Sequence, residues 1–226
     1  MQFNVRFFGM ISTLHVAIAL GPLAVYMLVL GVLNLSRRPV LTTGWRDLFA
    51  VGLALSGFIV IGPLDLFMPA AAAQRLGPWI WPPLVGLYVL ILTLIVLVSR
   101  PRLVIYNLSP AELRTILEGM LQRLGLEHAW AGESLSIPLW GIELHVASFP
   151  VMRNVSLVAT GSAQDLHGWN HLRQQLQREL AGVQLPPNPI GMTLLAFSLV
   201  MLGTIVMRLL QNPSAIARGL REMLRL

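Results

Sequence analysis

Residues 190–210 read IGMTLLAFSLVMLGTIVMRLL and carry no charged side chain until Arg208. Three comparable apolar runs lie earlier in the chain, at about residues 9–35, 48–68 and 79–98. A helix needs about 20 apolar residues to cross the hydrocarbon core of a bilayer, and each run is long enough. The sequence therefore predicts an α-helical integral membrane protein with four transmembrane helices.

The composition supports this prediction and excludes several classes of protein. Of the 226 residues, 55% are apolar, which is more than an ordinary soluble domain contains. The chain has no cysteine, so disulfides, thiolate nucleophiles and iron–sulfur clusters are excluded. All 16 basic residues are Arg, which we attribute to a GC-rich genome. We expect the protein to lie in the inner membrane of a bacterium. The first apolar run is longer than a signal-peptide core of about 7 to 15 residues, so we expect it to remain as a span.

The net charge of +6 does not indicate binding to nucleic acid. Residues 100–188 carry seven Arg and seven Asp or Glu, so this segment is neutral. The positive excess lies at helix ends, in loops and in the tail, where Arg orients spans and contacts anionic headgroups. We therefore expect the lipid bilayer as a partner and no nucleic acid.

Changes in character along the chain divide it into four parts. Residues 1–99 are predicted to form a three-helix transmembrane bundle, and residues 100–188 an extramembrane α+β domain. Residues 189–211 contain the fourth transmembrane helix, and residues 212–226 a basic amphipathic tail. In the bundle, Pro22 and Pro63 each remove a backbone donor within a span, so we expect a kink or break at both.

The extramembrane segment alternates apolar and polar residues, which is typical of strands with one buried face. Ser109-Pro110-Ala111-Glu112 predicts the start of a helix with a capping box, and an apolar stripe continues to Leu124 before Gly125. A second helix is predicted over residues 163–181. Its inward residues are expected to be Leu166, Trp169, Leu172, Leu176 and Leu180. The predicted strands are 102–107, 127–131, 134–140, 141–148 and 155–160.

The resulting element order is β-α-β-β-β-β-α. Two helices on one face of a mainly antiparallel sheet make a two-layer α+β domain, and the other face of the sheet is left polar. Trp130, Trp140 and Trp169 are expected in the domain core or in a patch that faces the membrane, because their large apolar area needs cover.

Asp65 is the best single candidate for a functional residue, because it is the only acid within a predicted span and an intramembrane carboxylate is expensive. His15 is predicted on the same side of the membrane, and the two could form a proton relay. The alternatives are structural. Asp65 lies near a helix end, where it could reach headgroup water or pair with Arg75, and His15 could bond a neighbouring backbone group.

His167 and His171 lie four residues apart on one predicted helix, a spacing that can bind zinc or copper. A site would need a third ligand, which His128 or His145 could supply from the sheet. No Glu follows His167 as in the zincin motif, and the alternative is a solvated helix flank. We assign no metal and no cofactor.

The tail places Arg218, Arg221 and Arg225 around an apolar helical face, which is typical of a helix that lies on a membrane surface. Such helices favour the anionic cytoplasmic leaflet, which would place the tail inside the cell.

Arginines in the loop after the first span bear on the orientation. This loop and residues 100–188 should share one side of the membrane. The positive-inside rule places that side in the cytoplasm for the first three spans, whereas the fourth span opposes it. We expect a cytoplasmic domain, since the first span usually dominates.

No nucleotide-binding loop, nucleophile elbow or kinase signature occurs in the chain. The sequence favours a non-catalytic interaction or assembly subunit of a membrane complex, whose domain presents its polar sheet face or an edge strand to a membrane-protein partner or a second copy. The alternative is a small oligomeric transporter or ion-conducting or proton-conducting subunit that uses Asp65 and His15. A membrane enzyme that uses the domain histidines is a third class.

Overall fold

The computed structural model describes residues 13–64, 77–161, 164–211 and 213–224. The described residues divide into two compact units. One contains residues 30–48 and 98–194, and the other comes from 1–29, 49–97 and 195–226.

Four helices within the described residues are long and apolar enough to cross a membrane, by length and composition. The candidate spans are Thr13–Leu35, Gly44–Gly62, Gly77–Val98 and Ile190–Gln211. Their α-helical parts are α1 (Thr13–Leu35), α2 (Gly44–Ile59), α3 (Trp81–Val98) and α6 (Ile190–Gln211). Many of their aliphatic side chains are exposed, and α3 buries none of its residues. Sustained apolar side chains on all sides of a helix are what a lipid environment requires.

The two prolines predicted to distort their helices behave differently. The α-helix α1 continues through Pro22 without a break. Pro63 instead lies in a π-helical turn, Val60–Leu64, that continues α2. A 3₁₀ turn at Gly77–Ile80 precedes α3.

Small residues allow the apolar helices to approach closely. A Cβ added at Gly57 in α2 would lie 1.9 Å from the carbonyl oxygen of Ile18 in α1, so only glycine fits there. On α3, the Tyr88 hydroxyl donates to the carbonyl oxygen of Gly52 over 2.6 Å. Close backbone contact of this kind is the usual packing device of membrane helices.

The domain contains a six-stranded sheet in which every pairing is antiparallel, in the order β1-β2-β6-β5-β4-β3. The strands are β1 (Val40–Thr43), β2 (Arg102–Tyr106), β3 (Ala129–Ala131), β4 (Ser134–Ile137), β5 (Ile142–Phe149) and β6 (Asn154–Ala159). With α4 (Pro110–Arg123) and α5 (Leu166–Ala181), the order from β2 onward is the predicted β-α-β-β-β-β-α.

Strand β1 is not predicted by the sequence. It lies in the connection between α1 and α2, which appeared to be a short polar loop. It pairs with β2 from Val40 opposite Tyr106 to Thr43 opposite Leu103. Four residues after a proline are too short for a recognisable alternation, and the partner strand lies about 60 residues away. The domain sheet therefore includes a strand contributed by the connection between two apolar helices.

One core joins the two helices of the domain to one face of the sheet. Its members alternate along the strands, as at Leu103 and Ile105, and recur every three or four residues along α4, as at Leu113 and Leu117. Ser109 caps α4 with both bonds of the predicted capping box. The expectation that Leu166 points inward is wrong, because this first residue of α5 is 65% exposed.

The three tryptophans of the domain contribute to this core. Trp169 is 6% exposed, and Trp130 and Trp140 are partly buried against the same cluster. Two short 3₁₀ turns, Pro138–Trp140 and Pro150–Met152, flank β5. After α6, the tail forms helix α7 (Pro213–Leu224).

Candidate functional site: an edge strand and its pocket

The proposed intramembrane pair is described only in part. His15 lies in the first turn of α1 and is partly buried. Asp65 lies outside the described residues, directly after the π-helical turn of α2. The proton relay between these two residues therefore remains a prediction.

The two histidines of α5 are both exposed. The ring of His171 stacks on Trp140, with 6.4 Å between ring centroids and an interplanar angle of 24°. The sheet histidines have other contacts: His128 Nδ1 lies 3.0 Å from the carbonyl oxygen of Leu126, and His145 Nε2 lies 3.8 Å from a Glu133 carboxylate oxygen. No group of three or more His, Cys, Asp or Glu residues that could hold a metal occurs in the described part of the chain.

The tail arginines are likewise described in part. Arg221 is exposed on α7, next to Leu220, which is also exposed. The side chain of Arg218 and the whole of Arg225 lie outside what the structure describes. Their contact with a membrane surface remains a prediction.

The polar face of the sheet is partly occupied by the chain itself. In the first turn of α2, Asp47 accepts a hydrogen bond from Arg102 Nη2 over 2.8 Å and another from the Tyr106 hydroxyl. The side chains of Arg102 and Asp47 are 28% and 16% exposed. Val104, between the two strand residues, is buried. This end of the sheet face is therefore an internal contact and is not available to a partner.

Strand β3 is the edge at the opposite end of the sheet. It pairs with β4 on one side, from Ala129 opposite Ser136 to Ala131 opposite Ser134. No strand of the described chain pairs with its other side. An unpaired edge offers backbone donors and acceptors to an added strand. It is short, at three residues, and both alanines are exposed.

A pocket of about 280 Å³ lies beside this edge. Its lining residues come from the start of α4, the β3–β4 hairpin and β5. They are Pro110, Ala111, Arg114, Trp130, Gly132, Glu133 and Val146.

Charge and aromatic surface meet in this pocket. The guanidinium carbon of Arg114 lies 4.6 Å from the centroid of the Trp130 ring, within range of a cation–π contact. Arg114 Nε also donates to Glu118 over 2.9 Å, one turn further along α4. The indole Nε1 of Trp130 is buried without a hydrogen-bond partner among the described residues. Glu133, with a side chain that is 72% exposed, places a carboxylate at the rim.

Hydrogen bonds at the start of α4 hold the wall of the pocket in place. Glu112 accepts from the backbone N–H of Ser109 over 2.8 Å and from Arg153 Nη2 over 3.1 Å. Burial by itself would raise the pKa of the Glu112 carboxyl, but the hydrogen bonds from Ser109 and the charge of Arg153 together hold that pKa below its ordinary value. The capped first turn carries Pro110 and Ala111 into the pocket wall and sets the position of Arg114 one turn later.

The sequence predicts the strand that carries Trp130 but not the pocket. Its large apolar area predicted that Trp130 lies in the domain core or in a patch that faces the membrane. Nothing in the sequence places Arg114, which is 16 residues earlier and on a helix, over the indole ring. The chain matches no known protein family, no curated protein and no solved structure.

Proposed function

We propose that this chain is a membrane-anchored, non-catalytic interaction or assembly subunit of a membrane complex, and that β3 with its pocket receives an extended segment of a protein partner. The observation that carries the proposal is the coincidence of an open sheet edge with an adjacent aromatic and cationic pocket. An added strand would gain main-chain hydrogen bonds from the edge and specificity from the side chain that enters the pocket.

The chemistry of the pocket selects the kind of segment. Its volume is large enough for a bulky side chain, and Trp130 and Val146 provide apolar walls. Arg114 and Glu133 place opposite charges on its border, so a polar strand with an apolar anchor residue fits better than a strongly charged one. The four apolar helices would anchor the domain to a bilayer, where a membrane-protein partner is at high local concentration.

The test compares two charge reversals on exposed helical arginines of the same domain. Arg114→Glu changes the pocket, whereas Arg173→Glu lies on α5, outside the pocket lining. Each variant is expressed in native membranes, mildly crosslinked, purified and examined by mass spectrometry. We expect a stoichiometric companion with the unmodified chain and with Arg173→Glu, and its loss with Arg114→Glu. A companion retained equally by both variants, or a partnerless monomer in every case, would refute the proposal.

The orientation belongs to the same proposal: we place the domain in the cytoplasm at the bacterial inner membrane. The support is the positive-inside rule applied to the first three spans. Because the chain has no cysteine, a single cysteine at the exposed position Thr115 reports the side directly. A membrane-impermeant maleimide should label it only after the cells are opened, and labelling in intact cells would place the domain outside.

A transporter or ion-conducting subunit is the alternative, and one observation favours it. The π-helical turn Val60–Leu64 follows α2 and lies directly before Asp65 in the sequence, and π-helical turns are frequent at functional sites. The test is flux into liposomes that contain the purified protein. Asp65→Asn and His15→Ala should each reduce that flux, and flux unchanged by both substitutions would reject this function.

A further inference from the structure

The turn between β5 and β6 exposes two large apolar side chains on the extramembrane domain. Phe149, the last residue of β5, is 55% exposed, and Val151, in the 3₁₀ turn that follows, is 59% exposed. Pro150 lies between them. Contiguous exposed apolar surface is a feature of protein and membrane contact sites.

Hydrogen bonds link this turn to the end of α1 and to the start of α6. The carbonyl oxygen of Val151 accepts from Asn188 Nδ2 over 3.5 Å. Asn188 lies two residues before α6 and is 3% exposed. Its side chain donates to Asn34 Oδ1 over 3.2 Å, and its backbone N–H donates to the Asn34 carbonyl oxygen over 2.9 Å. Asn34 belongs to the last turn of α1, so the turn adjoins the end of one helix and the start of another.

A second bond ties the other side of the turn to the same region. Arg153 follows the turn in a left-handed conformation, with φ of 49°. Its Nη1 donates over 3.2 Å to the carbonyl oxygen of Pro186, in the linker to α6. The turn is therefore held from both ends rather than projecting as a free loop.

The sheet register shows which way Phe149 faces. Arg102 is opposite Val158, and Val158 is opposite His145, so these three side chains share one face of the sheet. Phe149 lies four residues after His145 on β5 and shares that face as well. On this face, Arg102 pairs with Asp47 in the first turn of α2. Phe149 therefore faces the side of the sheet on which α2 begins, away from the layer of α4 and α5.

We propose that Phe149 and Val151 insert into the interfacial layer of the bilayer that holds the four apolar helices. This inference rests on the proposed membrane location of the chain. The headgroup region occupies about 5 to 8 Å on each side of the hydrocarbon core, so a turn bonded to the helix ends lies within its reach. Lipid is the partner that we infer for this turn, because the turn is bonded to the ends of two apolar helices that would themselves be surrounded by lipid.

Two exposed arginines add the charge that a headgroup would meet. Arg37 and Arg38 directly follow the end of α1. The carbonyl oxygen of Arg37 accepts from the backbone N–H of Leu185 over 2.8 Å, which places it beside the linker to α6. At a membrane surface, apolar side chains usually enter the interfacial layer while Arg side chains contact the lipid phosphates. The turn thus gives the domain a second lipid contact besides its covalent links to the helices.

Site-directed spin labelling tests the proposal in the full chain, because no native cysteine competes for the label. Two single-cysteine variants, Val151→Cys and Phe149→Cys, are each labelled with a nitroxide. Each is reconstituted separately into vesicles of zwitterionic and anionic phospholipid. The measurement compares collisions with oxygen, which concentrates in lipid, against collisions with a water-soluble nickel chelate. We expect both labels to collide more often with oxygen, relative to the nickel chelate, than a label in water does.

The control is Leu124→Cys. Leu124 is likewise an exposed apolar residue, at 43%, but it lies just after α4, on the helix layer. We expect its label to collide mainly with the nickel chelate. If labels at residues 149 and 151 match the aqueous behaviour of the label at residue 124, the proposal is overturned.

A label at Val200→Cys separates this outcome from failure of the membrane proposal. Val200 is 69% exposed in the middle of α6. A lipid-exposed label at residue 200 with aqueous labels in the turn rejects the inference alone. An aqueous label at residue 200 rejects membrane insertion, and the inference fails with it.

Discussion

Two helical glycines of the domain provide a prediction in which the same substitution has opposite effects. Gly168 lies in the first turn of α5 and is buried. A Cβ added there would lie 2.0 Å from the carbonyl oxygen of Trp140 and 3.1 Å from Ile142 Cγ1. Gly119 lies within α4, and a Cβ added there meets nothing within 4 Å.

The magnitudes follow from these distances. A carbon and a carbonyl oxygen in ordinary close contact are about 3.3 Å apart, so an alanine at residue 168 would be roughly 1.3 Å too close to Trp140. To avoid this close approach, α5 must move away from the 3₁₀ turn Pro138–Trp140. That movement would loosen the packing around the neighbouring Trp169. Overpacking of this kind costs about 1–3 kcal/mol, whereas alanine gains up to about 1 kcal/mol of helix propensity over glycine. We expect Gly168→Ala to destabilise the domain by about 1–2 kcal/mol and Gly119→Ala to stabilise it by about 0.5–1 kcal/mol.

The assay is thermal unfolding of the detergent-solubilised protein, with hydrogen exchange of the β5 and α5 amides as a local measure. Gly168→Ala should lower the unfolding temperature and speed exchange in both elements. Gly119→Ala should raise the temperature and leave exchange in β5 no faster. If Gly168→Ala proves as stable as Gly119→Ala, the close contact with Trp140 does not exist in the folded protein and the reasoning is refuted.

Three further predictions concern the charges and the core of the domain. The pKa of Glu112 is below its unfolded value of 4.5, so its carboxylate stabilises the fold above that pH, and this contribution is lost as the pH falls through the folded pKa. Glu112→Gln should therefore flatten the acid limb of stability measured against pH, and an unchanged limb would contradict this. Asp47→Asn leaves Arg102 without its carboxylate partner and should cost about 2 kcal/mol, between the values for exposed and buried pairs. Faster amide exchange in β1 and β2 would report that loss, and unaltered exchange would count against a stabilising role. Leu117→Ala empties a fully buried core position and should cost about 3 kcal/mol in denaturant unfolding, and a loss below about 1 kcal/mol would show that the core is not packed as described.

Local signals predicted those parts of the fold that local physics controls. The four apolar helices follow from length and hydrophobicity, and the start of α4 follows from Ser109-Pro110-Ala111-Glu112, where the predicted capping box is present. Strands β4 to β6 follow from alternation, because a strand with one buried face repeats every two residues. Leu166 was misassigned because periodicity alone does not show where the first turn of a helix begins to pack.

The candidate binding site depends on contacts between residues distant in the sequence. Arg114 lies over Trp130 only because α4 crosses the sheet near its edge, and the edge itself exists only because β3 is last in the strand order. The polar sheet face, which we expected to be available to a partner, is closed at one end by Asp47. No spacing or composition in the sequence indicates that an acid at the start of an apolar helix bonds a strand 55 residues later.

The sequence by itself determined the hydrophobic helices, the α+β character of residues 100–188 and the neutrality of that segment, because these depend on composition and short-range periodicity. The tertiary structure decided that the connection between α1 and α2 completes the sheet, that β3 is an open edge beside a pocket, and that the Phe149–Met152 turn lies at the helix ends. The physical reason is that strand pairing and side-chain packing join groups whose complementarity appears only after the chain has brought them together.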